Sequence, residues 1–367
     1  MQVVIGSRHL AVQTFPALDV SGREHLVVAA KATWQIPEPG QRPLPLPPQE
    51  LLPVDRFVGE PGLSAPLYGC DLLRFKPRCD VLFDACAHAP GQQPVRELVV
   101  GFRLGSLKKL LNVHGPRVWR RRLGGYSLSR GEPFVSMPLH YGMAFGGTRA
   151  WQQGDTTLSE ALLANPSGIG WAGPHTLEQL DGAPAPSLEA VHEPVERPDG
   201  RHAPIALSAI GRHWPPRLAY AGTYDEHWQR EIFPFLPEDF DERFHQCAPE
   251  DQQIDYPRGG EEVVLLNLLK GRSEVRFRLP NLTAVPVRVL RTDYTTEKIF
   301  PPVDTLFFET EENRFSAVWR VSLPIQRRLQ EIDTVAVGQI DPHWWNEKTV
   351  GSVGCATCGE TVRLPKL

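Results

Sequence analysis

The chain has 367 residues, of which 41% are hydrophobic and 22% charged; this is enough apolar material for a packed core and too much for a disordered chain. A formal net charge of −4 argues against a general nucleic-acid binder. Proline is the outlier at 36 residues, and together with 31 glycines it favours short strands joined by turns over long helices.

The first residues carry no basic lead followed by a long apolar run, so they do not read as a secretory signal. The longest apolar stretches, 26–30 and 263–266, are too short to span a bilayer. Cys70, Cys79, Cys86 and Cys247 lack a framework spacing and suit a reducing compartment. The expectation is a soluble cytoplasmic protein that does not act on membranes or nucleic acid.

In chain order, residues 26–36 are rich in β-formers and end at Pro37, which predicts a strand. The proline-dense stretch 37–53 predicts an extended, stiff connector. Residues 75–119 read as a β-meander. Within it, Glu97, Val99, Gly101 and Arg103 alternate with Leu98, Val100, Phe102 and Leu104, the period of a half-buried strand. Gly105 and Ser106 turn the chain into the next strand, 108–113.

Residues 148–215 lack periodicity and predict long ordered loops, with one or two helical turns at 157–164 closing before Asn165 and Pro166. A short helix is expected at 224–233, capped by Thr223. Strands are expected again at 262–269, 274–279, 285–290, 305–309 and 315–323. The expected fold is mainly β. It has sandwich-like sheets in two closely packed lobes, 1–150 and 216–367, joined by a loop-rich connector at 151–215.

The sharpest local motif is Cys355 and Cys358, separated by two residues and followed by Gly359. Such a knuckle supplies two corners of a zinc tetrahedron. No second cysteine pair completes it, so the pair is set down as thiols on a terminal hairpin and no metal or cofactor is expected. Arg120, Arg121 and Arg122 follow Trp119 as a compact basic patch, suited to an acidic protein surface or to a solvated strand edge. Gly-x-Ser-x-Gly, His-Glu-x-x-His and phosphate-loop motifs do not occur. Asp225, Glu226, His227, Asp239, Asp241 and Asp251 are the acid–base candidates of a hydrolase reading. Against it stand loop aromatics of the kind that anchor protein interfaces, or that fill gaps between loops and sheet. The candidate partner-binding set is Trp119, Arg120, Arg121, Tyr141, Phe145, Gly146, Gly147, Asn165, Trp171, Tyr224, Asp225 and Trp228.

Six phrases occur in a fixed order: Phe75-Lys-Pro with Asp80 and Val81; Ala89-Pro-Gly; Pro138-Leu-x-Tyr141 with Ala144-Phe-Gly-Gly147; Asn165-Pro-x-Gly168; Ala221-Gly-Thr-Tyr-Asp225; and Ala248-Pro-x-Asp-Gln252. In this order, over about 67–279, the chain resembles the family catalogued as domain of unknown function 2169. The resemblance implies bacterial type VI secretion. Members look like cytoplasmic adaptors or chaperones, not enzymes, that stabilise a toxic effector and load it onto the spike of VgrG and PAAR-repeat proteins. It carries over no catalytic residue, and the cysteine tail lies outside it. The alternatives are the hydrolase and a structural accessory of the secretion apparatus.

Overall fold

The computed structural model describes residues 1–326 and 328–350, with the backbone of 353–354 and 361–362. Cys355 and Cys358 lie outside the described residues. The protein is mainly β, with short helical turns. The largest sheet has six strands in the spatial order Gln253–Ile254, Cys79–Asp84, Val303–Glu309, Arg314–Pro324, Glu24–Gln35 and Ala11–Leu18. A five-stranded sheet runs Leu188–Ala190, Leu107–His114, Glu97–Leu104, Glu262–Leu269 and Arg272–Arg278. A four-stranded sheet runs Gln2–Ile5, Ile332–Val337, Val287–Arg291 and Thr296–Ile299.

All three sheets take strands from both 1–150 and 216–367, or place them side by side, so the two stretches expected as lobes share every large sheet. The strands at 24–35 and 314–324, which end alike at proline, are neighbours over eleven paired positions. Their aromatics meet: Trp34 stacks on Phe315 at 5.5 Å. The hairpin 97–114 forms as its alternation predicts.

The core lies between the six- and five-stranded sheets. Phe83, Phe308 and Phe315 of the first meet Phe102 and Phe277 of the second, with centroid separations of 4.5 Å for Phe83–Phe102 and 5.5 Å for Phe277–Phe315. Burying each ring contributes about 1.5–3 kcal/mol, so this ladder anchors the sandwich.

Period-two alternation sends the intervening residues to the other face of the six-stranded sheet. That face is also buried, but under chain and not under a sheet. Residues 45–78 and 246–252 cover it, and many of its side chains are polar, Lys31, Thr33, Asp80, Thr305, Ser316 and Arg320, set among the apolar Ala29, Leu82, Phe307 and Val318. The proline-dense connector is tied down here: Gln35 donates its N–H to the Leu44 carbonyl, and Leu46 to Thr33.

Two local expectations are corrected. Residues 157–164 are not helical; Thr156–Ala161 is a strand paired with Thr148–Gln153 around a turn at Gly154. β-branched threonines and the glycine turn outweigh the helical reading. At 224–233 the expected short helix forms over 226–232, with Trp228–Ile232 as its wide π-helical part, but Asp225, not Thr223, accepts the Trp228 N–H at 2.9 Å. The Thr223 hydroxyl donates instead to Asp239.

Candidate functional site

The polar face of the six-stranded sheet is organised around Asp80, which is fully buried. One of its oxygens accepts from the Lys76 ammonium at 2.8 Å and the Cys247 N–H at 2.9 Å; the other accepts from the Gln246 amide at 2.6 Å. Lys76 also donates to the Thr305 hydroxyl. Burial is the largest effect and opposes the Lys76 charge, but the facing Asp80 carboxylate together with Cys247 and Asp304 outweighs it and holds the pKa above the ordinary lysine range. The same burial pushes the Cys247 thiol up to about 12, so it stays protonated and is no nucleophile at neutral pH. Arg320 and Asp304 pair at 3.2 Å, and Lys31 and Asp71 at 3.1 Å.

Gln252 joins this layer to the five-stranded sheet. Its amide donates to the Val81 and Leu207 carbonyls, and its oxygen accepts from Lys109, which also reaches Asp251. Lys76, Asp80, Asp251 and Gln252 all come from the ordered phrases of the sequence. Lys76, Asp80 and Gln252 fasten distant segments together beneath the surface, while Asp251 meets Lys109 from the exposed side.

A second knot gathers the glycine phrases. Phe145–Gly146 pairs in parallel with Ile169–Gly170. Asn165, fully buried, donates its amide to the Tyr141 and Phe145 carbonyls at 2.9 and 3.1 Å. A Cβ on Gly168 would stand 2.4 Å from the Asn165 amide nitrogen, and one on Gly170 would stand 2.4 Å from the Pro186 ring. These glycines are required by close approach of backbone to backbone.

Half of the proposed partner-binding set is therefore interior. Trp119 is fully buried and donates to the Gly170 carbonyl; Tyr141 packs edge-on to Trp214; Phe145 meets His202; Gly146, Gly147 and Asn165 belong to the knot. None of these six can touch a partner, because the surface they were expected to contour is built above them. Trp171 is half-buried, while Arg120 and Arg121 are exposed on the hairpin Trp119–Arg122 with Gly125–Leu128.

Tyr224, Asp225 and Trp228 do reach the surface, with two residues that the sequence reading passed over. Tyr224 is 55% exposed, Phe233 65% and Phe235 44%. Trp228 lies between them, 4.7 Å from the Tyr224 ring and 5.5 Å from Phe233. Tyr224, Trp228 and Phe233 meet as a crest on the loop 219–241, and Phe235 extends it, joined to Trp228 through its carbonyl with its own ring over Gly22. Its frame is rigid at the base. Buried Arg217 donates to the Phe244 and Ile210 carbonyls. Arg243 grips Asp241 and lies over the Tyr220 ring at 4.1 Å. Trp228 Nε1 donates to the Phe235 carbonyl. A cluster of Phe, Tyr and Trp around one proline was the available signal in 224–235; reading the segment as a helix hid it.

The acid–base candidates serve the same frame. Asp225 caps the turn, Glu226 pairs with Arg230, Asp239 accepts from Thr223, Asp241 from Arg243 and Asp251 from Lys109. Hydrogen bonds from Thr223 and Arg243 hold Asp239 and Asp241 below the usual carboxylate range, the opposite of a poised general acid. Among the described residues, no group of three His, Cys, Asp or Glu side chains is gathered as for a metal ion.

Residues 21–320, more than three quarters of the chain, match the family described as "Uncharacterized protein conserved in bacteria (DUF2169)". The chain belongs to the DUF2169 family. The match extends beyond the ordered phrases at both ends and takes in the strands at 24–35, 303–309 and 314–324. The DUF2169 region thus contains most of the six-stranded sheet, the polar layer beneath it and the aromatic crest. No curated protein and no solved structure matches the chain.

Proposed function

We propose that this protein is a cytoplasmic adaptor or chaperone that binds a type VI secretion effector and assists its loading onto the VgrG and PAAR spike. The observation that carries the binding role is the crest of Tyr224, Trp228, Phe233 and Phe235: contiguous aromatic surface on a braced loop, of the composition that dominates protein interfaces. The secretion context rests on what the family resemblance implies. Consistent with a role away from the bilayer, among the described residues no helix is long and apolar enough to cross a membrane.

Holding a partner's native state stabilises it by mass action, so the partner's cellular level is the direct readout. The test is co-expression of the neighbouring effector with the wild-type chain, with the double variant Tyr224→Ser/Phe233→Ser, and without either. Effector accumulation and co-purification that need the wild-type chain and fall with the double variant are expected. An effector level indifferent to the chain sinks the reading. Co-purification with spike proteins in the absence of effector favours the structural-accessory alternative.

A further inference from the structure

The strand Arg272–Arg278 is an edge of the five-stranded sheet. Its pairing fixes which backbone groups are spent. Leu279 donates to the Glu261 carbonyl, and Glu262 accepts from Gly105 on the opposite side. Alternation then turns the backbone groups of Val275 and Phe277 towards strand 262–269, and those of Glu274, Arg276 and Arg278 outward. Among the described residues no hydrogen bond engages the outward N–H groups of Arg276 and Arg278.

This edge is not open surface. A cleft of about 680 Å³ runs beside it, walled on the far side by Gly40, Arg42 and Pro43 and floored by Phe277. The volume is that of a ligand site, roughly 300–1,000 Å³. The far wall is pinned, since Gln35 donates to the Leu44 carbonyl and Trp34 bridges to Pro45. One end is closed by Arg272, which reaches the Pro37 carbonyl and Asn313. The outer edge of the six-stranded sheet differs. Pro16 interrupts the edge strand Ala11–Leu18, a common device against strand pairing. At 272–278 no proline intervenes.

Charge selects the occupant. Arg42, Arg276 and Arg278 line the cleft against a single lining carboxylate, Glu262, which is already paired to Arg103; Arg276 is also paired to the exposed Glu274 beside the cleft, so among the described residues Arg42 and Arg278 carry the free positive charge there. We infer that the cleft between Arg272–Arg278 and residues 40–43 receives an extended acidic segment of the partner protein, added as a further strand through the Arg276 and Arg278 backbone. Side chains on one face of that segment meet the three arginines, and those on the other pack on Phe277. The inference rests on the adaptor reading for the identity of the partner and on the sheet edge alone for the binding mode.

The test uses the full chain and a ten-residue Thr-Glu repeat peptide, with a Thr-Lys repeat as its counterpart. The Thr-Glu peptide should slow hydrogen exchange at the Arg276 and Arg278 amides at least fivefold, and the Thr-Lys peptide should not. Arg276→Pro removes an outward donor without touching the ladder to 262–269, and should abolish the protection at Arg278. Arg42→Glu/Arg278→Glu, which leaves the backbone intact should the proline variant not fold, should weaken Thr-Glu binding at least tenfold. No protection by Thr-Glu, or equal protection by Thr-Lys, overturns the inference. Effector capture lost in Tyr224→Ser/Phe233→Ser but kept in Arg276→Pro overturns it while leaving the adaptor role standing. Amide protection by Thr-Glu without any effector capture supports the strand site and removes the adaptor role.

Discussion

Replacing Asp80 by Asn keeps the side-chain volume and removes one charge, and the structure gives the cost. Lys76 is 3% exposed and would lose its carboxylate, retaining the Thr305 hydroxyl and the weak Cys247 sulfur contact. Breaking one side of a buried ion pair costs about 3–5 kcal/mol. An independent bound comes from letting Lys76 lose its proton, which at pH 7 costs about 4.6 kcal/mol from an ordinary lysine pKa. The new amide NH₂ also faces at least one former donor among Gln246, Cys247 and Lys76, adding about 1–3 kcal/mol for an unsatisfied buried group. The expected loss is therefore about 4–8 kcal/mol. Lys76→Met should cost less, about 1–3 kcal/mol, because Asp80 keeps the Gln246 amide and the Cys247 N–H. In a double-mutant cycle the two changes should couple by about 2 kcal/mol or more, the double variant being more stable than the sum of the singles. Urea unfolding followed by tryptophan fluorescence measures all four proteins, with Trp319 in the core and adjacent to Arg320 as one reporter. A loss below about 1 kcal/mol for Asp80→Asn, or additive single variants, would refute the view that this pair is the centre of the layer.

Gly170 has φ +86° and no room for a Cβ against the Pro186 ring, so Gly170→Ala should cost at least about 2 kcal/mol and shift the urea midpoint accordingly. Tyr224→Ser/Phe233→Ser changes only exposed rings; its stability should stay within about 1 kcal/mol of wild type, so lost capture would report binding and not unfolding. Burial, reinforced by Arg217, Arg212, Arg320 and Lys76, pushes His245 down to about 3, even though Glu242 lies 3.5 Å away, itself held by Arg74. Because the unfolded chain takes up the proton first, near pH 6.5, this histidine's contribution is whole above that pH and is lost on acidification towards pH 3, with a slope approaching 1.4 kcal/mol per unit, roughly. His245→Gln should flatten the fall in stability between about pH 6.5 and 5 in urea titrations, where most carboxylates have not yet protonated; equal slopes in both proteins would contradict it.

The strands were legible where a local period wrote them. The hairpin 97–114 is visible because one face of it meets the core and the other is wetter, and the strands at 262–269, 303–309 and 314–324, buried on both faces, are visible as short apolar runs bounded by turns. Six phrases in order were enough to point to the family. Local pattern failed at 157–164, where a glycine turn decided the backbone, and at the cap of the short helix 226–232, which Asp225 and not Thr223 supplies. It failed most for the site, since Trp119, Tyr141, Phe145 and Asn165 look like loop anchors in sequence and are sealed in the interior.

The sequence by itself determined that the chain is β-rich, mildly acidic and assembled from short punctuated segments, because alternation, charge and proline content act over a few residues at a time. Only the tertiary structure decided which side chains are neighbours. Asp80 and Cys247, or Asn165 and Tyr141, meet across long loops through interactions that leave no periodic trace. The same closure leaves Tyr224, Phe233 and the Arg276 edge outside, because what remains exposed is whatever the folded contacts do not use.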